Sequence, residues 1–87
     1  MSEELDVRGT IENVLNRVLT ESGRQSRVFS DDDTLTRTIG LDSLDIALVV
    51  VQLEQELQAD PFRSGAAPVP TFGEFVALYR KECAKQK

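Results

Sequence analysis

Asp42-Ser43 is the point in this 87-residue sequence where residue types and spacing are best suited to covalent chemistry. The pair lies in the run Gly40-Leu41-Asp42-Ser43-Leu44-Asp45, directly before a strongly apolar stretch. A serine in the first turn of a helix points away from the core, beside free backbone N–H groups that carry a partial positive charge. A hydroxyl placed there can bear a phosphate ester, because a helix N-terminus accommodates negative charge. The fragment D-S-L-D is weak by itself, since serines and aspartates at helix starts are mostly caps.

Other chemistries have little to work with. The chain contains no histidine, which removes Ser–His and Cys–His nucleophile pairs and histidine-ligated metals. No cluster of convergent acids and bases stands out, so an autonomous enzyme is not expected. The single cysteine, Cys83, rules out an internal disulfide and falls in a late helical segment with no activating neighbour. A net charge of −5 argues against nucleic acid and favours partners with basic surfaces. The longest apolar run, Ile46 to Val51, is far too short to span a membrane, so no membrane insertion is expected. The acidic start MSEELD lacks the layout of a signal peptide, and a cytoplasmic location is the default.

The length suits one domain, residues 1–87, with a core over roughly 4–80, a modest margin of stability and little room for a deep cavity. Val7, Ile11, Val14, Leu15 and Val18 recur at helical spacing and predict a first amphipathic helix ending near Leu19 or Thr20, with Ser22-Gly23 as its stop. From Glu21 to Leu41 no period is evident, and Val28, Phe29, Leu35 and Ile39 read as isolated anchors of a long loop. Asp31-Asp32-Asp33 is either a solvated loop tip or the cap of a short turn. A second helix runs from Ser43 to about Gln58, with Asp42 as N-cap and Asp45 completing a capping-box-like pair. Asp60-Pro61-Phe62-Arg63-Ser64-Gly65 has the cap, proline and glycine of one short helical turn. Thr71 and Glu74 predict the start of a last helix with Phe72, Phe75, Val76 and Tyr79 on one face, fraying through KECAKQK. With no sustained strand alternation, the fold class is all-α: a bundle of three longer helices and one short one.

The second helix has two apolar faces. At 100° per residue, Ile46, Val49, Val50, Leu53 and Leu57 gather on one side and suit a core. Leu44, Ala47, Leu48 and Val51 gather opposite, with Asp45, Gln52 and Glu56 between. A domain this small needs only one buried stripe on a helix. The second is either covered by the long loop or left open for a partner, and it begins beside Ser43.

Leu35, the run Ile39-Gly40-Leu41-Asp42-Ser43-Leu44 and the apolar helix after it closely resemble the phosphopantetheine attachment signature of acyl carrier proteins. The resemblance spans nearly the whole chain: amphipathic helix, long loop, G-L-D-S-L-D at the second helix, a short third helix and an amphipathic last one. It implies a small carrier that is not an enzyme, modified at Ser43 with 4'-phosphopantetheine from coenzyme A by a phosphopantetheinyl transferase. Asp42 matches the acidic residue that assists magnesium-dependent transfer. The arm's thiol would hold the acyl group, the cofactor supplying the reactive sulfur and the protein recognition. Leu44 and Val51 match the family's apolar partner-contacting positions, Leu48 lies between them on the same stripe, and Asp45, Glu54 and Glu56 match its acidic positions. The resemblance implies a monomer that meets acyl-loading and acyl-processing enzymes through their basic docking surfaces. Leu48 departs from the fatty-acid-synthesis type, which is acidic at that position, and the C-terminal half is less acidic than in that type. The implied role is therefore a discrete carrier of a specialised fatty acid, polyketide or lipid pathway. An aminoacyl or peptidyl carrier would use the same serine, and an unmodified helical adaptor would use the apolar stripe alone.

Overall fold

A computed structural model describes residues 6–85. Glu4 and Leu5 of the expected core, and Gln86 and Lys87 of the expected tail, lie outside the described residues. Within them the chain is all-helical, with α1 (Val7–Glu21), α2 (Ser43–Leu57) and α3 (Phe72–Lys85) and no strand beyond one isolated bridge, Thr34 to Thr71. No helix among these residues is long and apolar enough to cross a membrane.

Helix α1 starts where the Asp6 carboxylate accepts the Gly9 N–H at 2.9 Å, an N-cap the hydrophobic spacing does not reveal. It stops as expected at Ser22-Gly23. Gly23 has φ +86, the Arg24 N–H returns to Leu19 O at 2.8 Å and the Gly23 N–H to Thr20 O at 3.1 Å. This is a Schellman ending, and it fixes the direction in which the long loop departs. Val7, Ile11, Val14, Leu15, Val18 and Leu19 are all buried and form the central stripe of the core. Helix α1 packs along both α2 and α3.

The loop from residue 22 to 42 has no regular structure but is tied down at intervals. Phe29, Leu35, Ile39 and Leu41 are buried, whereas Val28, expected as an anchor, is 86% exposed. Neighbouring residues in extended backbone point to opposite sides, so Phe29 can turn inward only if Val28 turns out. Phe29 stacks on Phe72 with ring centroids 5.3 Å apart. The Asp31-Asp32-Asp33 segment closes a turn, in which Asp33 accepts the Ser30 N–H at 2.9 Å. The same segment caps α3. Asp33 O accepts the Phe72 N–H at 2.8 Å, Asp31 O accepts the Gly73 N–H at 3.0 Å, and Thr71 Oγ1 accepts the Glu74 N–H at 3.3 Å. Three donors that a helix start leaves open are thus satisfied, two of them by the loop. Gly73 permits this approach, because a Cβ there would lie 2.8 Å from the Asp31 Cβ.

Two expectations are corrected. Pro61–Gly65 is a hydrogen-bonded turn rather than a short helix, so the bundle has three helices among the described residues. Asp60 Oδ1 accepts the Phe62 N–H at 3.1 Å and the Arg63 N–H at 3.2 Å, and Gly65 at φ +107 ends the turn before helix can propagate. The last helix does not fray at Lys81 but runs to Lys85, where Ser64 Oγ donates to Glu82 at 2.9 Å and Cys83 packs against the core.

Phe62, Phe75 and Tyr79 form an aromatic cluster, the closest pair, Phe75 and Tyr79, having centroids 5.0 Å apart. Tyr79 Oη is buried with no hydrogen-bond partner among the described residues, and burial pushes its pKa up. Phe75→Ala should therefore cost about 3–5 kcal/mol in urea unfolding, through lost transfer energy and the cavity left behind. Tyr79→Phe should leave stability unchanged or higher, since it removes an unsatisfied hydroxyl while keeping the ring.

Candidate functional site

Ser43 is the first residue of α2, is exposed, and its hydroxyl has no hydrogen-bond partner among the described residues. The capping box around it is complete. Asp42 Oδ1 accepts the Asp45 N–H at 2.8 Å, and Asp45 Oδ2 accepts the Asp42 N–H at 3.2 Å. The N–H groups of Ser43 and Leu44 find no acceptor among the described residues, so they remain free beside the hydroxyl. Asp42 Oδ2 accepts no hydrogen bond from an N–H among the described residues, and the Asp42 side chain is exposed next to Ser43. The backbone reaches this point through Gly40, whose φ of +89 suits glycine, and through the Leu41 N–H bonded to Leu35 O at 3.0 Å.

Chemically, the arrangement favours an anionic group at the Ser43 oxygen. The oxygen is accessible and unengaged, the helix end favours an anion, and an acidic oxygen suited to a divalent cation stands beside it. Among the described residues no group of three or more His, Cys, Asp or Glu side chains could hold a metal, so a cation here would need ligands from elsewhere. Cys83 is half-buried, and burial pushes its pKa up, the wrong direction for a reactive thiolate.

The outer stripe of α2 is uncovered. Leu44 is 69% exposed, Leu48 46% and Val51 52%, and Ala47 is exposed with them. The long loop does not reach across it. Gln55 and Gln58 continue the face toward the end of the helix, so no charged residue lies along its centre. Ile46 and Val50, expected in the core, are only half-buried. With Phe62, Val69 and Phe75 they line an apolar cleft of about 450 Å³, whose lining also includes Ala47 and Val51 of the outer stripe. The sequence suggested little room for such a space. Residues of the connection between α2 and α3, among them Phe62 and Val69, form one wall of it.

The acidic positions differ most from expectation. Asp45 is not an outward-facing acid but is 7% exposed. Its Oδ2 receives Arg24 Nη2 at 2.6 Å, and this bond, with the Asp42 N–H, holds its pKa below the ordinary carboxylate range. A charge can be buried there because a guanidinium arrives from the start of the long loop. Glu56 pairs with Arg17 at 2.9 Å and Glu54 with Arg63 at 3.1 Å. Both remain near the surface, but each already has a partner within the chain. The sequence reading did not single out Arg24, and its one available signal was a basic residue directly after a glycine helix stop.

Comparison with family models, with curated proteins and with solved structures gives no match.

The Asp45–Arg24 pair predicts a pH effect with a definite sign. A carboxylate whose folded pKa is depressed contributes stability that is full above its unfolded pKa, about 4, and is lost as pH falls through the folded value. Asp45→Asn should lower stability at neutral pH by about 1–3 kcal/mol. The difference from wild type should shrink on acidification below about pH 4, as measured by urea unfolding across a pH series.

Proposed function

We propose that this protein is a discrete acyl carrier, modified at Ser43 with phosphopantetheine and presenting acyl thioesters to the enzymes of a specialised fatty acid, polyketide or lipid pathway. The observation that carries this reading is the free, exposed Ser43 hydroxyl at the capped start of α2, directly beside an uncovered apolar stripe. A serine serving only as a cap would have its oxygen engaged with backbone, and here Asp42 does the capping.

In the modification step the Ser43 oxygen attacks the phosphorus that carries the pantetheine in coenzyme A. The bond to the adenosine-bearing phosphate breaks, an adenosine bisphosphate leaves, and the serine proton passes to a base of the transferase. Asp42 Oδ2 can face the magnesium ion of that reaction, while the free Ser43 and Leu44 N–H groups sit beside the phosphodiester formed. The arm then supplies the thiol that this chain's own Cys83 is poorly placed to provide. An apolar chain on that arm can shelter in the cleft between Ile46, Val50 and Phe75, which shares Ala47 and Val51 with the stripe.

Leu44, Leu48 and Val51 form the docking contact in this reading. Because Asp45, Glu54 and Glu56 are each paired internally, recognition rests on apolar area more than on charge steering. Of the two contributions expected from the sequence, apolar contact and steering of basic partners by acidic residues, this reading gives the apolar contact the larger share.

Incubation with coenzyme A and a broad-specificity transferase should add one phosphopantetheine by intact mass, and Ser43→Ala should abolish the addition. Failure of the folded wild type to accept the arm from several transferases would leave the adaptor reading in its place. Leu48→Ala should alter stability by no more than about 0.5 kcal/mol, yet Leu48→Ala and Val51→Ala should each raise KM for a cognate loading enzyme. The wild-type rate should change less than about twofold between low and high ionic strength, since apolar contact is not screened. A steep salt dependence would restore charge as the chief recognition element.

A further inference from the structure

Arg24 belongs to the long loop, yet its side chain holds the far end of that loop and the first turn of α2. Its backbone is fixed to α1 by the N–H bond to Leu19 O at 2.8 Å. From there Nε donates to Ser22 Oγ at 2.9 Å, Nη1 to Gly40 O at 2.5 Å and Nη2 to Asp45 Oδ2 at 2.6 Å. One planar group therefore joins the end of α1, the positive-φ turn at Gly40 and the carboxylate that closes the capping box. Gly40 and Asp45 bracket Ser43 on both sides in sequence. The serine itself makes no side-chain bond among the described residues, so its position is set by these neighbours.

The geometry points to Arg24 as the positioning residue for modification of Ser43. It fixes where the Asp42-Ser43-Leu44 segment stands, without touching the arm or the transferase. This rests on the reading of Ser43 as the attachment site. Only arginine offers three donors in a fixed plane to a hydroxyl, a carbonyl and a carboxylate at once; a lysine ammonium can keep the charge but not the fork. A reacting oxygen displaced by about 1 Å loses up to about a hundredfold in rate, and the loss falls on the chemical step rather than on docking. The docking stripe of Leu44, Leu48 and Val51 lies on the outer face of α2, away from the guanidinium.

A structural staple would behave differently, and the molecule contains a control. Arg8, in the first turn of α1 and roughly 20 Å along the helix from its last residue, pairs with Asp31 at 2.6 Å and is about as exposed as Arg24. It ties α1 to the loop that caps α3, and its hydrogen-bond partners, Asp31 and Phe29 O, lie outside residues 40–45.

The test measures arm transfer from coenzyme A by one transferase, together with amide hydrogen exchange, on wild type, Arg24→Gln, Arg24→Lys and Arg8→Gln. Arg24→Gln should lower kcat about tenfold or more with KM little changed, and should speed exchange at residues 41–45. Arg24→Lys should fall between it and wild type, and Arg8→Gln should load within about twofold of wild type. Equal losses in Arg24→Gln and Arg8→Gln, or a wild-type kcat in folded Arg24→Gln, would overturn the assignment while leaving Ser43 as the attachment site. An unmodified wild type would remove the attachment reading and this inference with it. If Arg24→Gln does not fold, Arg24→Lys decides: reduced kcat at unchanged KM supports the role, and wild-type kcat refutes it.

Discussion

A single oxygen of Asp45 accepts hydrogen bonds from two sources, the Arg24 guanidinium and the Asp42 N–H. The first bond ties α2 to the end of α1 across the whole long loop. The second closes the capping box that starts α2 and orients Ser43. Charge-assisted bonds of this length are stronger than neutral ones, and they compensate for removing a carboxylate from water. Without that counter-charge, Asp45 would have to turn outward or protonate, and the cap would lose one of its two bonds. The core stripe of Val49, Leu53 and Leu57 enters the bundle in register with α1 because the first turn is held at this point.

That register also explains why α2 keeps an apolar outer face. A helix whose first turn is pinned from the inside cannot roll to bury Leu44, Leu48 and Val51 without losing the Asp45 bonds. The loop that could have covered them is committed elsewhere. Its apolar anchors Phe29, Leu35 and Ile39 are buried in the core, and the carbonyls of Asp31 and Asp33 serve the start of α3. The uncovered stripe is thus a consequence of how the chain satisfies its own backbone, and it falls beside the exposed hydroxyl of Ser43 at the start of α2.

Much of this was legible in the sequence, for reasons that are local. Helix stops and starts depend on residues within one turn of each other, so Gly23, the Asp42–Asp45 box and the Thr71–Glu74 pair could be read directly. The core face of α1 followed from spacing alone. What escaped depends on contacts remote along the chain. A helical wheel places Asp45 between two stripes but cannot see that Arg24, far back along the chain, will draw it inward. The same holds for Glu54 and Glu56, whose partners Arg63 and Arg17 come from other segments. Asp60 to Gly65 misled because cap, proline and glycine mark turns as well as helix ends, and so few residues cannot repay helix nucleation. The apolar cleft is lined by residues from segments far apart in the chain, and no periodicity in the sequence reports it.

The most direct test of the central claim is tandem mass spectrometry of the protein purified from the cells that make it, with no transferase added. The account predicts a phosphopantetheine, free or acylated, on the peptide containing Ser43 and on no other. A native protein bearing an unmodified Ser43 throughout, or an arm on a different residue, would contradict it.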